Sequence, residues 1–191
     1  MKISNQEQSK IDEDKVRVYL ESFGLEALRY SKKEQRAVGK NPDFKVYQNK
    51  ELVFYAEVKS IFVDENELGH KQMLNNLAKK LHSAFNQFLS VNNRHEFPNV
   101  LFWCSNAMRA DINKFIDFHN GYVSTGLAGK GDVFKDFRKT DVVEKSNIEN
   151  RIIDLHIWVQ HDEFKQVFGN QNWKHITKIS DALKLFELSF S

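Results

Sequence analysis

The segment Leu52–Ser60 (Leu-Val-Phe-Tyr-Ala-Glu-Val-Lys-Ser) constrains this chain more than any other stretch. In an extended strand, Leu52, Phe54, Ala56 and Val58 point one way, and Val53, Tyr55, Glu57 and Lys59 the other. Apart from Glu57 and Lys59, both faces are apolar. Such a strand is stable only when covered on both sides, which predicts a central strand in a sheet flanked by helices.

The surrounding sequence supplies the covering elements. Phe44–Tyr47, the polar corner Gln48-Asn49-Lys50 and Leu52–Ser60 form a hairpin entered at Pro42. Val16, Tyr19, Leu20 and Phe23 recur at helical spacing, so Asp12–Phe23 is a helix stopped by Gly24, and residues 1–9 are a loose leader. Leu25–Asn41 is mixed and basic, read as a short strand at Leu28–Tyr30 and then a loop. Asp64–His70 is read as a loop. Lys71–Val91 is a long amphipathic helix with the stripe Leu74, Leu77, Leu81, Phe85 and Phe88. Asn99–Trp103 is a short buried strand after Pro98, Asp111–His119 a further helix, and Asn120–Thr140 a Gly-rich connection. Ile153, Leu155, Ile157 and Val159 mark another strand, and Ile179–Phe186 a C-terminal helix. Interleaved strands and helices predict an α/β fold with a central mixed sheet flanked by helices. At 191 residues, with no internal repeat and no low-complexity linker, the chain 1–191 is read as one domain.

Bulk properties exclude some classes and leave others open. Cys104 is the single cysteine, so there is no intrachain disulfide. The first residues are polar, and the longest strictly apolar run, Val100–Cys104, is too short to span a bilayer. A soluble, cytoplasmic protein is expected. The net charge of +2 does not by itself argue for nucleic acid, but the charges are segregated. Residues 1–28 carry four basic and six acidic side chains, whereas residues 29–59 carry eight basic and four acidic ones.

The chemistry-bearing constellation lies in that basic stretch: Pro42-Asp43, then Glu57-Val58-Lys59. Glu57 and Lys59 are two residues apart on one strand and project from the same face. A two-residue turn at Asn49-Lys50 would set Asp43 opposite Ala56, on the wrong face. One additional loop residue or a bulge sets it opposite Glu57, and bulges are common beside active sites. Two carboxylates and an ammonium on an otherwise apolar face are costly to bury without compensation. A hard divalent cation supplies it, since Mg²⁺ is held by one or two carboxylates, waters and phosphate oxygens. Phosphodiester hydrolysis is the reaction that suits those parts. A surface salt pair on an edge strand would place Glu57 and Lys59 equally well, were Val53 and Tyr55 not on their face.

At these residues the sequence resembles the PD-(D/E)XK nuclease superfamily, of restriction-endonuclease-like fold. The resemblance implies a three-layer α/β sandwich, Mg²⁺ or Mn²⁺ bound by the two acidic residues, and DNA cleavage, hence a DNA endonuclease. Asp43, Glu57 and Val58 are the candidate metal-binding positions, and Lys59 would orient or deprotonate the attacking water. Lys80–Phe88 (KLHSAFNQF) is similar to the helix that follows the catalytic strand in that group, which makes Gln87 an assisting residue, and Pro98–Phe102 to the next core strand. Many members add a glutamate from the first helix. Glu13, near the Val16–Leu20–Phe23 stripe, fits better than Glu21, although Asp12, Glu13 and Asp14 would also serve simply to complement the helix dipole.

Lys32, Lys33, Arg36, Lys79 and Lys80 are candidates for contacts to a nucleic-acid backbone, and a homodimer is left open. The competing reading is the same fold retained as a catalytically weak or inactive module that binds nucleic acid or a protein partner. The histidines show no zinc-ligand spacing, so a zinc site is not expected, and His156 belongs to a sheet face. Gly126, Gly129 and Gly131 lack a nucleotide-binding pattern and are read as flexible connection.

Overall fold

Asn49 and Lys50 sit at φ +51° and +71°, the left-handed pair that closes a two-residue hairpin with the twist its strands require. The turn joins β2 (Phe44–Gln48) to β3 (Glu51–Ile61). This computed structural model describes residues 3–62, 70–105, 122–127, 130–136, 148–168 and 173–185. The remaining elements are α1 (Asn5–Ser22), β1 (Glu26–Leu28), α2 (Lys32–Val38), α3 (His70–Val91), β4 (Asn99–Ser105), β5 (Tyr122–Leu127), β6 (Lys130–Asp136), β7 (Leu155–Gln160), β8 (Glu163–Phe168) and α4 (Trp173–Leu183).

Six strands form one mixed sheet in the order β1-β2-β3-β4-β7-β8. β3, β4 and β7 are parallel, while β1 and β2 on one side and β8 on the other run antiparallel to their neighbours. β3 therefore lies inside the sheet, as its two apolar faces require. One face carries Phe44, Phe54, Val58, Phe102 and Ile157 under Val16 and Leu20 of α1 and Ile179 and Leu183 of α4. The other carries Ile61, Leu101, Trp103 and Trp158 under Leu77, Leu81 and Phe88 of α3. Phe85 of the expected stripe is only partly buried. The arrangement is compatible with a three-layer sandwich, and no helix among the described residues is long and apolar enough to cross a membrane.

Several expectations need correction. Residues 1–9 are not a loose leader throughout. The Ser4 side chain accepts from the Glu7 amide while Glu7 reaches back to the Ser4 amide, and this capping box starts α1 at Asn5. The helix ends as expected at Gly24, whose φ of +74° allows the amides of Gly24 and Leu25 to bond back to the carbonyls of Glu21 and Leu20. The first strand is Glu26–Leu28, not Leu28–Tyr30, and the expected loop contains α2, started by a second capping box, Ser31 with Glu34. Of the Gly-rich stretch, β5 and β6 form an antiparallel two-stranded sheet instead of a flexible connection. β8 forms where no strand is expected, and the C-terminal helix starts at Trp173 instead of Ile179. The expected loop over 64–69 and the helix Asp111–His119 lie outside the described residues.

The packing of α1 makes a direct prediction. Leu20 is 0% exposed, whereas Val18 on the same helix is 58% exposed. Leu20→Ala is expected to lower the unfolding free energy in urea by about 2–5 kcal/mol. Val18→Ala should stay within about 0.5 kcal/mol of the parent.

Candidate functional site

A single bulge decides which side chains meet on β3. Tyr47 pairs with Leu52, but Val46 pairs with Phe54, so Val53 is the extra residue. Val53 joins Phe54 in the core under α1 and α4, not the face of Tyr55 and Glu57 where strict alternation placed it. Beyond the bulge Phe44 pairs with Ala56, and one further residue along the ladder Asp43 is level with Glu57.

The two acidic residues are locked crosswise. The Asp43 amide donates to Glu57 Oε2 at 3.0 Å, and the Val58 amide donates to Asp43 Oδ2 at 2.8 Å. Val58, expected among the metal contacts, thus meets Asp43 through its N–H. Lys59 Nζ donates to Glu57 Oε1 at 2.5 Å and to Gln87 Oε1 at 2.7 Å, with Ser83 Oγ at 3.4 Å. Gln87 Nε2 donates in turn to the Asn41 carbonyl at 2.9 Å. Both Ser83 and Gln87 belong to α3 and are one helical turn apart, so one helix face clamps the ammonium. Asp43, Glu57, Lys59 and Gln87 are therefore brought together.

Electrostatics mark the same place. Glu57 is 1% exposed, and burial together with the neighbouring Asp43 charge pushes its carboxyl up to about 8, against the pull of Lys59. Burial also raises Asp43, opposed by its hydrogen bond from Val58 and by Lys59. Glu13 is raised by burial and by the charge of Asp43, which lies across a shared pocket of about 210 Å³. Its Arg29 partner is 2.8 Å away. Glu21 instead pairs with Arg17 at the surface, so Glu13 is the helix carboxylate nearer the site.

No local sequence pattern marks Arg29, Tyr30 and Asn41, which line this pocket with Glu13, Gln35 and Asp43. The Tyr30 hydroxyl and both polar atoms of the Asn41 side chain are buried there with no hydrogen-bond partner among the described residues. Only Ser83 had a usable signal, its spacing of four from Gln87. Of the basic candidates, Lys32, Lys33 and Arg36 are exposed on α2, whose Gln35 lines the pocket, and Lys79 is exposed on α3. Lys80 stands over the Phe62 ring at 5.4 Å, and burial and the Lys59 charge lower its pKa.

A different set of side chains could hold a metal ion. His95, Asp154 and His175 each offer one ligand atom, all within 4.8 Å of one another. The three come from separate parts of the chain, so no ligand spacing in the sequence announces them. Among the described residues, no such threesome forms at Asp43 and Glu57, where two carboxylates meet and Glu13 stands across the pocket. His156 lies buried on β7, its Nδ1 accepting from Trp103 Nε1 at 3.0 Å, as a sheet-face residue should.

The pH dependence of stability follows from Glu57. A carboxyl whose folded pKa lies above its ordinary value gives stability that is complete below that value and is lost as pH rises through the folded one. In divalent-free buffer the melting temperature should fall as pH rises from about 4.5 towards 8, and Glu57→Gln should flatten that fall. A slope equal in both proteins would refute the assignment. Compared with known proteins, the chain matches no family model, no curated protein and no solved structure.

Proposed function

We propose that the chain is a divalent-metal-dependent endonuclease of the PD-(D/E)XK type, with a restriction-endonuclease-like fold, that hydrolyses DNA phosphodiester bonds. The observation that carries the reading is the bulge-set pairing of Asp43 with Glu57, with Lys59 beside them in the grip of Gln87.

The donor set fits Mg²⁺ or Mn²⁺: two adjacent carboxylates whose proton affinity burial raises gain most from a hard cation with oxygen preference. When bound, such an ion lowers the pKa of a water and neutralises charge developing on a phosphate. Asp43 and Glu57 would hold it, and the crosswise amide bonds keep both carboxylates aimed without side-chain reorganisation. Lys59 would orient the attacking water or steady a phosphate oxygen, and Gln87 fixes the ammonium for that task. Glu13 would act from across the pocket.

Supercoiled plasmid incubated with Mg²⁺ tests the reading. The parent protein should nick or linearise it, and Asp43→Ala and Lys59→Ala should each lose about 10²–10⁴-fold in rate. Glu13→Gln should lose less, about 10–100-fold, as expected of a residue acting from an outer position. Equal cleavage by all the variants would place the chemistry elsewhere. Tight DNA binding without cleavage by the parent would favour the inactive-module alternative.

Backbone contacts have their own signature. With Asp43→Ala protein and a labelled duplex, affinity should fall with rising salt. Replacing Lys32, Lys33 and Arg36 together by Ala should reduce the log–log slope by about one unit for each phosphate contact removed. An unchanged slope would remove α2 from the interface.

A further inference from the structure

His95, Asp154 and His175 converge at the end of the sheet where β4 and β7 begin. Asp154 immediately precedes β7, and its amide donates to the Asn99 carbonyl at 2.9 Å. Its carboxylate is 0% exposed. Asp154 Oδ2 faces His95 Nε2 at 2.7 Å and accepts from the Asn99 amide at 2.8 Å, while Oδ1 faces His175 Nδ1 at 3.0 Å. The imidazole rings stand edge to face with centroids 4.6 Å apart.

We propose that these three side chains bind a divalent transition-metal ion of the zinc class, as a structural site separate from the Asp43–Glu57 pair. Four features of the geometry carry the assignment. First, among the described residues no lysine or arginine pairs with Asp154, so a fully buried carboxylate has only two imidazoles and one amide as partners. A fully buried carboxylate is expensive unless positive charge compensates it, and a divalent ion supplies that charge.

Second, two imidazole nitrogens and one carboxylate oxygen are a donor set that favours zinc and its first-row neighbours over Mg²⁺. Third, the atoms are close to the spacing required. Bonds of about 2.0–2.2 Å in a tetrahedral site put donors roughly 3.4 Å apart. His95 Nε2 stands 2.7 Å from Oδ2 and His175 Nδ1 3.0 Å from Oδ1, and one ligand atom from each residue lies within 4.8 Å of the other two, so small side-chain shifts bring three donors to that spacing.

Fourth, the carboxylate already has the outer hydrogen bond that orients metal ligands, from the Asn99 amide, and Asn99 is itself held by Asn92 Nδ2 at 2.9 Å. His95 enters from a tight turn, its φ at +51° and its amide bonded to the Asn92 carbonyl at 2.9 Å. It is the only partly exposed member of the three, which leaves a side from which an ion enters. An ion here would tie the turn after α3, the entry to β7 and the start of α4 to one another.

The test is built so that it does not depend on nuclease activity. Asp43→Asn/Glu57→Gln protein, which lacks the carboxylate pair, is stripped with chelator and titrated with Zn²⁺ by equilibrium dialysis and metal counting, in excess Mg²⁺. We expect one zinc per chain, a zinc-dependent rise in melting temperature, and loss of about tenfold or more in zinc affinity when His95→Gln or His175→Gln is added. His95 is partly exposed, so His95→Gln carries the test if His175→Gln fails to fold. Zinc affinity unchanged by both histidine substitutions overturns the proposal, as does the absence of zinc binding in the double variant. A histidine substitution that lowers the melting temperature of zinc-free protein but leaves zinc affinity unchanged also overturns it, and identifies the trio as a hydrogen-bonded staple. Because the double variant has no Asp43–Glu57 carboxylate pair, zinc binding in it is independent of whether the chain cleaves DNA.

Discussion

The crosswise pair of hydrogen bonds between Asp43 and β3 is the constraint on which the rest of the candidate site depends. Each acidic residue is fixed through a backbone amide next to the other: Asp43 N–H on Glu57, Val58 N–H on Asp43. Backbone amides cannot swing away as a long side chain can, so the two carboxylates stay juxtaposed although they repel. The stability for this comes from the apolar remainder of β3, which α1, α4 and α3 cover on both faces. Without that burial, water would screen the pair and the raised proton affinity of Glu57 would vanish.

The position of each helix then acquires a role. α1 contributes core leucine and valine on one side of its surface and carries Glu13 to the pocket edge. α3 closes the opposite face of the sheet with Leu77, Leu81 and Phe88, and its polar Ser83 and Gln87 fall where Lys59 emerges. The short α2, beside the same pocket, displays its basic side chains to solvent. Glu57 and Lys59 thus stand on a strand and Gln87 on a helix, while Asp43 lies in the segment that leads into β2.

At the sheet end where β4 and β7 begin, a second polar group is buried under different rules. Asp154 completes the hydrogen bonding of the first residue of β4 and gathers two imidazoles from distant elements. Asp43 and Glu57 offer oxygen only, whereas this group offers nitrogen and oxygen. The two groups therefore differ in donor character.

The hairpin, the long helix α3, the buried strand β4 and the strand β7 were legible in the sequence because each follows a local period of hydrophobicity that burial enforces. So was the pairing of Glu57 with Lys59, two residues apart on one strand. α2 and the early start of α1 were also written locally, in the Ser4–Glu7 and Ser31–Glu34 capping boxes, but polar residues at those helix starts masked them. β8 and the β5–β6 hairpin were not legible, since pairing partners stabilise such strands more than their own composition does. By itself the sequence determined that β3 must be buried on both faces with two charges on one of them, because alternation and hydrophobicity are properties of neighbouring residues. Only the tertiary structure decided that Val53 bulges, that Asp43 therefore meets Glu57 and not Ala56, and that His95, Asp154 and His175 converge. Register and convergence are set by contacts between segments far apart in the chain, which no local pattern records.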